Sequence, residues 1–563
     1  MAIEKKRLGN ILINAGKINS YQLQEALKSQ KILGKKLGEI LVDSNVITEE
    51  EIIESVEQQT GIKKVDLNTI SFDKKAISII PKNLCNKYSL IPFGFDNNKI
   101  KVAMVDPLNI FAIDDVAIST GFEIETFISK KNDIKKFIEV YYSSQQISMA
   151  AKQLAQESSE LKKKNIINIE EIDDVKNAPV VKMVEYLFKN SIEMNASDIH
   201  IEPFENEIRI RYRIDGQLQT VNVLNIDSLG PLITRIKILA GLNIAEKRIP
   251  QDGRIMANIG ENDVDLRVSI LPVVHGEKVV IRILNTSNYN VSKDKLGINE
   301  KNLKKIDKII SNPYGIVLVT GPTGSGKSTT LYSILSELNS TNVNIVTVED
   351  PVEYTLPGIN QVNVNTRAGL TFASGLRSIL RQDPDIVMIG EIRDNETAEI
   401  AIKAAITGHL VLSTLHTNDA PSSIVRLIDM GIKPYLVSTS LVGILAQRLV
   451  RKICDKCKVS YEASKYEKEI LGVKSGEKLT LYKGEGCGYC NNTGYSGRTG
   501  VYEIMEMTRK HREAINDGAN SDILRDISMK NGMTTLGMEC IDLVVKGITT
   551  ITELATVTLI KEQ

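Results

Sequence analysis

The sequence lacks long apolar runs. No stretch of about 18 consecutive apolar residues occurs in it, and an α-helix needs about that length to cross a bilayer. The first residues, Met1–Arg7, carry three basic side chains, but no apolar segment follows them, so we expect no secretory signal. These absences predict a cytosolic protein that associates with membranes only through partners.

An excess of charge of either sign is also absent. The 563 residues include 70 acidic and 70 basic side chains. Dedicated nucleic-acid-binding proteins usually carry a basic excess, so the balance disfavours that class, although it leaves room for a local basic groove. Because a single hydrophobic core rarely serves a chain of this length, we expect about three or four domains.

Cysteines are few and unevenly placed. Cytosolic cysteines stay reduced, so two Cys-x-x-Cys pairs indicate a metal rather than disulfides, with four reduced structural cysteines as the alternative. Each pair can supply two thiolates to a tetrahedral zinc ion, and because no general base or open position accompanies them we predict a structural site. The pairs are Cys454 with Cys457 and Cys487 with Cys490, while Cys85 and Cys540 lie elsewhere.

A repeat occupies the N-terminal part of the chain. Residues 7–30 and 36–59 form two similar units, each opening with a basic residue, a leucine and a glycine. Each unit carries apolar residues at helical spacing, a break, and a second amphipathic stretch. In the second unit Thr48 and Glu51 have the spacing of a capping box, which predicts the start of a helix.

Two regions of different character follow the repeat. Residues 62–142 read as short strands mixed with helices. Residues 152–176 are rich in charge and poor in aromatic side chains, which indicates a linker.

Beyond Pro179 the pattern changes to that of strands. The segment from Glu207 alternates apolar and basic residues, which predicts a half-buried strand with a basic outer face, and Asp215-Gly216 predicts the turn after it. The alternating residues are Ile208, Ile210, Tyr212 and Ile214 against Arg209, Arg211 and Arg213. Val264, Leu266, Val268 and Ile270 alternate in the same way.

A third region starts around Gly297. Short apolar runs alternate there with helical stretches, which is typical of a parallel α/β sheet covered by helices. The runs are Ile316–Val319, Ile345–Val348, Ile386–Ile389 and Leu410–Leu412.

A glycine-rich loop follows the first of these runs. It matches the pattern G-x-x-x-x-G-K-S, in which backbone N–H groups and the N-terminus of the following helix surround phosphate oxygens. We predict that Lys327 reaches the β- and γ-phosphates of a nucleoside triphosphate and that the Ser328 hydroxyl binds Mg²⁺. An accidental glycine-rich turn is the alternative, which the flanking strand and helix disfavour. The predicted nucleotide ligands are Gly321, Pro322, Thr323, Gly324, Ser325, Gly326, Lys327, Ser328 and Thr329.

Acidic and histidine side chains follow the other runs. Glu349, Asp350 and Glu353 lie close together at the end of one run, where they repel one another unless a cation or a proton is shared. We predict that they bind Mg²⁺ and orient the attacking water, with a solvated acidic loop as the alternative. Glu391 ends a run that resembles a Walker B strand, and His416 ends another, where it can contact a γ-phosphate.

These motifs occur in the order seen in a known family. The glycine-rich loop, the Glu-Asp-Pro-Val-Glu box, the Gly-Glu-Ile-Arg-Asp box and the Gly-His…Thr-Leu-His-Thr box resemble those of the secretion ATPases that power type IV pili and type II secretion. The resemblance covers the chain from about Pro179 to its end. It implies a hexameric ring that binds ATP and Mg²⁺ between two domains of neighbouring subunits.

The same resemblance assigns roles to individual residues. It implies that Glu353 is the catalytic carboxylate and Glu391 the Walker B acid, with Lys327 and His416 in the same catalytic set. It also implies that arginines of the preceding domain stabilise the negative charge of the transition state. The matching arginines are Arg254, Arg267 and Arg282.

The resemblance implies a multi-domain α/β protein. A regulatory domain of helical and α+β character would span residues 1–145, and a linker residues 146–178. A PAS-like α+β domain would span residues 179–293. A RecA-like P-loop ATPase core would span residues 294–563, with a zinc-binding insertion at about 450–495. Such a zinc module is typical of the pilus-assembly and secretion ATPases, whereas the pilus-retraction motors lack it.

The N-terminal repeat resembles the tandem motif that binds cyclic-di-GMP in some of these ATPases. There the basic-Leu-Gly triplets and the apolar positions contact the dinucleotide. The second unit begins with Lys36 instead of arginine, which removes the stacking of a planar guanidinium on guanine. A helical module that docks onto a membrane partner is the alternative, and the two roles are compatible. The implied ligand residues are Arg7, Leu8, Gly9, Gln30, Lys36, Leu37, Gly38 and Gln59.

Together these features predict a cytoplasmic ATPase that is bound through partners to the inner face of the cytoplasmic membrane. Its predicted role is to power type IV pilus assembly through an inner-membrane platform protein, with other pilus assembly proteins as further partners and no nucleic acid. A type II secretion ATPase is the close alternative, which the chain length and the duplicated N-terminal unit disfavour. More distant alternatives are a ring helicase or DNA translocase and a non-hydrolysing regulator that senses cyclic-di-GMP.

Overall fold

The computed structural model describes residues 8–33, 37–44, 46–96, 99–142, 179–259, 262–285, 292–474 and 477–558. Arg7, Lys36, the side chain of Gln59 and the predicted linker 146–178 lie outside the described residues. The chain forms two compact units. The first comprises Met1–Gly260, Leu266–Ile283 and Glu485–Gly494, and the second comprises Glu261–Asp265, Leu284–Gly484 and Tyr495–Gln563.

Four helices begin the first unit. They are α1 (Leu8–Asn14), α2 (Ser20–Leu33), α3 (Leu37–Asp43) and α4 (Glu49–Thr60), so the sequence repeat is a repeated helix pair. The predicted capping box is confirmed, because the Glu51 N–H donates to Thr48 Oγ1 at 3.3 Å and the Thr48 N–H donates to Glu51 Oε2 at 3.0 Å. Gly9 permits the close approach of α2, since a Cβ there would lie 2.7 Å from Cδ1 of Leu23. The buried contacts are made by Leu12, Ile18, Ala26, Ile40, Leu41 and Ile47.

Strands mixed with helices follow, as predicted for residues 62–142. The elements are α5 (Lys74–Ile79), α6 (Lys82–Tyr88), β1 (Leu90–Asp96), β2 (Lys99–Met104), α7 (Ile110–Thr120), β3 (Glu123–Ile128) and α8 (residues 131–142). The sheet has the order β1-β2-β3, with β1 antiparallel and β3 parallel to β2. Ion pairs of Lys130 with Glu50 and of Lys131 with Glu39 hold this layer against α4 and α3.

A six-stranded sheet comes next in the chain, with the order β6-β5-β4-β9-β8-β7. Its elements are α9 (Pro179–Glu193), β4 (Ala196–Pro203), β5 (Glu207–Ile214), β6 (Gln217–Asn225), α10 (Leu229–Leu239), β7 (Gln251–Ile259), β8 (Asn262–Val273) and β9 (Gly276–Asn285). The predicted alternation in β5 is confirmed, since its isoleucines and tyrosine are buried and its arginines are partly exposed. Asp215 and Gly216 form the predicted turn, with φ angles of 48° and 85°.

Seven strands form the central sheet of the second unit, in the order β12-β11-β13-β14-β10-β15-β18. They are β10 (Gly315–Thr320), β11 (Ile345–Glu349), β12 (Asn360–Asn363), β13 (Ile386–Ile389), β14 (Leu410–Leu415), β15 (Leu441–Ile453) and β18 (Tyr495–Glu506). All neighbours are parallel except β15 and β18, and all four predicted apolar runs are strands of this sheet.

Helices cover both faces of this sheet. One face packs against α11 (Glu300–Ile310) and α12 (Lys327–Leu338). The other packs against α13 (Phe372–Ile379), α14 (Asn395–Ile406), α15 (Ala420–Asp429) and α16 (Pro434–Ser440). The carboxyl ends of the parallel strands lie together at one edge of the sheet, which is where α/β sheets bind ligands.

Small elements and C-terminal helices complete the chain. β16 (Lys458–Glu462), α17 (Lys465–Ile470) and β17 (Thr480–Gly484) lie between the two cysteine pairs. After β18 come α18 (Arg509–Asn516), α19 (Ser521–Lys530), α20 (Leu536–Val545) and α21 (Ile551–Thr558). Among the described helices, none combines the length and the apolar character needed to cross a membrane.

Candidate active site

The glycine-rich loop joins the end of β10 to the start of α12. Gly321, Gly324 and Gly326 have φ angles of 147°, 79° and 87°, which residues with a side chain rarely adopt. Within the described residues no side chain caps α12, so its first N–H groups stay available and carry the partial positive charge of the helix N-terminus. The loop therefore has the shape and polarity to surround an anion.

Gln447 of β15 holds this loop in place. It is 1% exposed, and its Nε2 donates to the carbonyl oxygen of Ser325 at 2.6 Å. At Gly321 an added Cβ would lie 2.4 Å from the carbonyl oxygen of Gln447, so the glycine also permits loop and strand to approach closely. Sequence reasoning missed Gln447 because only the pairing of β15 with β10 brings it to the loop.

Lys327, the first residue of α12, folds back over the loop. Its Nζ donates to the carbonyl oxygens of Gly321 at 2.9 Å and Pro322 at 3.0 Å. Burial lowers the pKa of the ammonium, the charge of Glu391 opposes that change, and the charge of Arg448 adds to it. Neutral carbonyls are weaker partners for an ammonium than phosphate oxygens, so a triphosphate can displace them.

Glu391 lies beside this lysine, just after β13, in contact with two basic groups. Arg393 donates to its Oε1, and Nε2 of His416, just after β14, lies 3.3 Å from its Oε2. Burial raises the pKa of the Glu391 carboxyl, but the hydrogen bonds and charges of Arg393 and His416 outweigh burial and hold the pKa below its usual value. The structure thus brings together three predicted site residues, Lys327, Glu391 and His416.

Glu349, the last residue of β11, is tied into the protein interior. It is 4% exposed. Its Oε1 accepts from Thr347 Oγ1 at 2.6 Å and from Gln361 Nε2 at 3.2 Å, and its Oε2 accepts from the Tyr332 hydroxyl. The Tyr332 oxygen in turn accepts from the backbone N–H of Glu353 at 3.3 Å. These bonds position the start of the loop that holds Glu349, Asp350 and Glu353, called the acidic loop below.

The other two acidic residues of this loop are less buried than Glu349. Asp350 is exposed, and its Oδ2 lies 3.7 Å from Nη1 of Arg393. Glu353 is half-buried. Tyr332 and Gln361, which support this loop, gave no signal in the sequence, since neither belongs to a motif. Arg393 could have been found, because it lies within the Gly-Glu-Ile-Arg-Asp box.

The geometry can support phosphoryl transfer. A loop for phosphate oxygens, one ammonium and several carboxylates lie at the carboxyl edge of one parallel sheet, and such transfer needs positioning and charge stabilisation more than covalent chemistry. Ser328 is exposed in the first turn of α12, and Thr329 follows it half-buried. A hydroxyl and carboxylates are the hard oxygen ligands that Mg²⁺ prefers.

The three predicted arginines lie on adjacent strands of the six-stranded sheet. Arg254 is on β7, Arg267 on β8 and Arg282 on β9, and the strand order is β9-β8-β7. Arg254 and Arg282 are exposed and Arg267 is half-buried. Nε of Arg282 donates to Oδ1 of Asp198 at 3.1 Å. The fold therefore gathers three separated sequence positions on one part of a sheet.

The four cysteines of the Cys-x-x-Cys pairs form a cluster. The Sγ atoms of Cys454, Cys457, Cys487 and Cys490 all lie within 4.8 Å of one another. The Sγ atoms of Cys487 and Cys490 are 3.7 Å apart, close to the ~3.8 Å between two thiolates of a tetrahedral zinc site with Zn–S bonds of about 2.3 Å. The N–H of Gly494 donates to Sγ of Cys490 at 3.3 Å. Four sulfur donors at these distances fit zinc.

The first unit contains a cavity of about 590 Å³. Four predicted cyclic-di-GMP ligands line it, namely Leu8, Gln30, Leu37 and Gly38. Residues of the following layer complete the wall, including Asp106 and Lys131. Gly9 is not in the wall, since it packs against Leu23 instead. The cavity therefore lies where the helices of the repeat meet the mixed layer, which is formed by the strands and helices of residues 62–142.

Comparison with protein families gives two matches. Residues 173–556 match the model of the type II/IV secretion system protein family. Residues 60–148 match the MshEN domain, so this match covers the mixed layer that follows the repeat.

Individual relatives and solved structures cover from about two thirds to almost the whole of the chain. The type IV pilus assembly ATPase PilB of Myxococcus xanthus is 42% identical over 553 residues, which are 97% of this chain and 98% of the relative. The type II secretion system ATPase E of Vibrio cholerae is 41% identical over 496 residues, 86% of this chain and 98% of the relative. The X-ray structure of the ATPase DotB of Yersinia pseudotuberculosis has a TM-score of 0.51 at 22% identity and covers 67% of this chain and 94% of that one.

Proposed function

The chain belongs to the type II/IV secretion system protein family, a family of ATPases, and we propose that it powers the assembly of a type IV pilus. The observation that carries this proposal is the similarity to a pilus assembly ATPase over nearly the full length of both chains. We propose a homo-hexamer that works at the cytoplasmic face of the inner membrane on a platform protein and other pilus assembly proteins. Nucleic acid has no place in this function.

The proposed site is built from one subunit's loop, carboxylates and histidine. Lys327 and the backbone N–H groups of the loop would hold the triphosphate of ATP. Ser328 and Asp350 are proposed to hold Mg²⁺, which would offset the charge of the phosphates. Glu353 would orient and deprotonate the attacking water. Glu391, already paired with His416, would respond to the terminal phosphate through that contact.

The three arginines extend this site in the hexamer. We assign Arg254, Arg267 and Arg282 to the nucleotide of a neighbouring subunit, where a guanidinium can stabilise the transition-state charge. Their placement on adjacent strands supports this assignment. We accordingly propose an α+β, PAS-like domain of residues 179–293 that supplies these arginines and a RecA-like ATPase domain of residues 294–563.

The cysteine cluster is proposed to bind structural zinc. Replacing Cys454 with serine is expected to remove the stoichiometric zinc from the purified protein, because three remaining thiolates bind it less tightly, and to lower the melting temperature. Metal analysis and thermal unfolding measure the two effects. Cys540→Ala is the matched control, since Cys540 is buried but lies outside the cluster. Wild-type protein without zinc would remove this site.

The cavity beside the repeat is the proposed site for cyclic-di-GMP. The MshEN match at residues 60–148, a cyclic-di-GMP-binding domain type, supports it. The lining residues Leu8, Gln30, Leu37 and Gly38 come from the repeat, so repeat and MshEN region would share the ligand. Gly9 would act indirectly by packing the first helix pair, while Arg7, Lys36 and Gln59 remain proposed ligands on sequence grounds.

A charge placed in this cavity should prevent dinucleotide binding. Leu37→Glu is expected to weaken cyclic-di-GMP binding at least ~10-fold, because the carboxylate meets the phosphates of the ligand in a partly apolar site. Isothermal titration of the full chain measures the affinity, and ATP binding should be retained. Leu27→Glu is the control, since Leu27 is an exposed leucine of α2. Equal affinities in wild type and Leu37→Glu would place the ligand elsewhere.

Deletion of the gene tests the biological role. We expect the deletion strain to lose surface pili while secretion of folded exoproteins continues, and we expect the wild-type gene, but not Lys327→Ala, to restore pili. Electron microscopy counts the pili, and assays of culture supernatants follow secretion. Loss of secretion with intact pili would assign the chain to type II secretion, to which its similarity to the Vibrio cholerae ATPase also points.

A further inference from the structure

A second buried cation lies close to the proposed phosphate site. In the pairing of β10 with β15, Thr320 at the end of β10 lies opposite Ala446, and Arg448 follows two residues later. Arg448 therefore lies past the end of β10 and next to Gln447, which bonds the glycine-rich loop, and it is only 7% exposed. It lies near enough to Lys327 for the two positive charges to repel each other.

The contacts of Arg448 leave its charge poorly compensated. Its Nη2 donates to Oδ1 of Asn418 at 2.9 Å, which is a neutral partner. Among the described residues, its Nε has no hydrogen-bond partner, although it is buried. Burial lowers the pKa of the guanidinium, and the charge of Asp419 only partly opposes this. A buried guanidinium without a bonded carboxylate is costly unless an anion completes its environment.

The partner of Arg448 belongs to a loop that is firmly held. Thr417 donates its N–H to Oγ1 of Thr320 at 3.0 Å, so the loop is bonded to the strand that leads into the glycine-rich loop. On the other side, Arg525 of α19 donates to Oδ2 of Asp419 at 2.7 Å. Asn418 therefore sits between two anchored neighbours, two residues after His416, and it accepts the hydrogen bond from Arg448.

We propose that Arg448 is a further nucleotide-binding residue that contacts the terminal phosphate of ATP within the subunit that provides Lys327. A phosphate between the two cations would turn their repulsion into attraction to a shared anion, and a guanidinium binds phosphate oxygens more strongly than an amide oxygen. The inference rests on the proposed ATPase function. It adds a cation from the same subunit to the three arginines assigned to the neighbour.

The experiment compares nucleotides that differ in the terminal phosphate. In the full-length protein, Arg448→Gln is expected to weaken a non-hydrolysable ATP analogue by about 10- to 100-fold, the value of one or more charge-assisted hydrogen bonds. Binding of ADP should stay close to that of wild type. Arg448→Lys keeps the charge, so its affinity for the ATP analogue should fall between those of wild type and Arg448→Gln. Arg448→Lys also replaces Arg448→Gln in the comparison if Arg448→Gln fails to fold. Isothermal titration with Mg²⁺ measures each affinity.

Asn418→Ala is the matched control. It removes the hydrogen-bond partner of Arg448 but keeps the cation, so the affinity for the ATP analogue should be retained. Equal loss of ADP and analogue in the Arg448 variants, or an analogue affinity equal to wild type, would overturn the proposal and leave Arg448 a residue that only fixes the loop. Either result leaves the proposed ATPase function in place, as long as wild type binds nucleotide and Lys327→Ala does not. A wild type that binds no nucleotide would remove the proposed function itself.

Discussion

Replacing Lys327 with alanine is expected to reduce ATP turnover by about 10³-fold or more, because the ammonium would make two or more charge-assisted hydrogen bonds to the phosphates, each worth about 1.5–3 kcal/mol. The lysine is already pre-positioned, since its Nζ is held by two carbonyl oxygens of the loop. Nucleotide binding should weaken together with turnover. Phosphate release and titration of an ATP analogue measure the two effects.

The control for this variant is an exposed lysine of the same unit. Lys403 pairs with Glu399 on the surface of α14, so Lys403→Ala should keep both binding and turnover. Unchanged phosphate release in Lys327→Ala would mean that the hydrolysis comes from another site or a contaminating enzyme. A fall in melting temperature without nucleotide would instead indicate damage to the loop, so the unfolding of both variants must be compared.

The glycine-rich loop and its flanking elements could be predicted because their signals are local. The loop occupies consecutive positions, its strand is a short apolar run, and the helix begins at Lys327 as the motif requires. The same holds for Thr48 and Glu51, whose capping box needs only one helical turn. The strand β5 was predicted correctly because its period of two is visible in the sequence.

Contacts that depend on the pairing of distant strands could not be predicted. Gln447 reaches the loop only because β15 lies next to β10. Glu349 was predicted as a site carboxylate, but its bonds to Tyr332 and Gln361 come from α12 and β12, and no motif connects those residues. Arg448 looks in the sequence like one more basic residue of a strand. Its burial and its lack of a carboxylate partner among the described residues are properties of the fold.

The three glutamates near the loop, Glu349, Glu391 and Glu353, differ in the contacts that they make. Glu349 accepts hydrogen bonds from three side chains in the interior, so its carboxylate already serves to position the surrounding groups. Glu391 contacts Arg393 and His416, which hold its carboxylate in the ionised form. Glu353 is half-buried, and its backbone N–H donates to the hydroxyl oxygen of Tyr332. Of these three, Glu353 is the carboxylate that we propose takes a proton from water.

Replacing Glu353 with glutamine is therefore expected to lower kcat by about 10²–10⁴-fold, the usual contribution of a general base. Glutamine keeps the size of the side chain and loses only the basic carboxylate, so binding of ATP should be retained. Single-turnover hydrolysis separates the chemical step from product release. Equal rates in wild type and Glu353→Gln would transfer the role of base to another carboxylate.

Two isosteric variants identify which carboxylate that is. Glu349→Gln presents an amide N–H to donors that need an acceptor, so it should lower the free energy of unfolding by about 1–3 kcal/mol and affect kcat less than Glu353→Gln does. Glu391→Gln should weaken the contact with His416. The effect of this substitution on nucleotide affinity should therefore differ between ATP, which carries the terminal phosphate, and ADP, which lacks it. If Glu391→Gln stops the chemical step while Glu353→Gln does not, the general base lies at the end of β13, and Glu353 acts only in shaping the acidic loop.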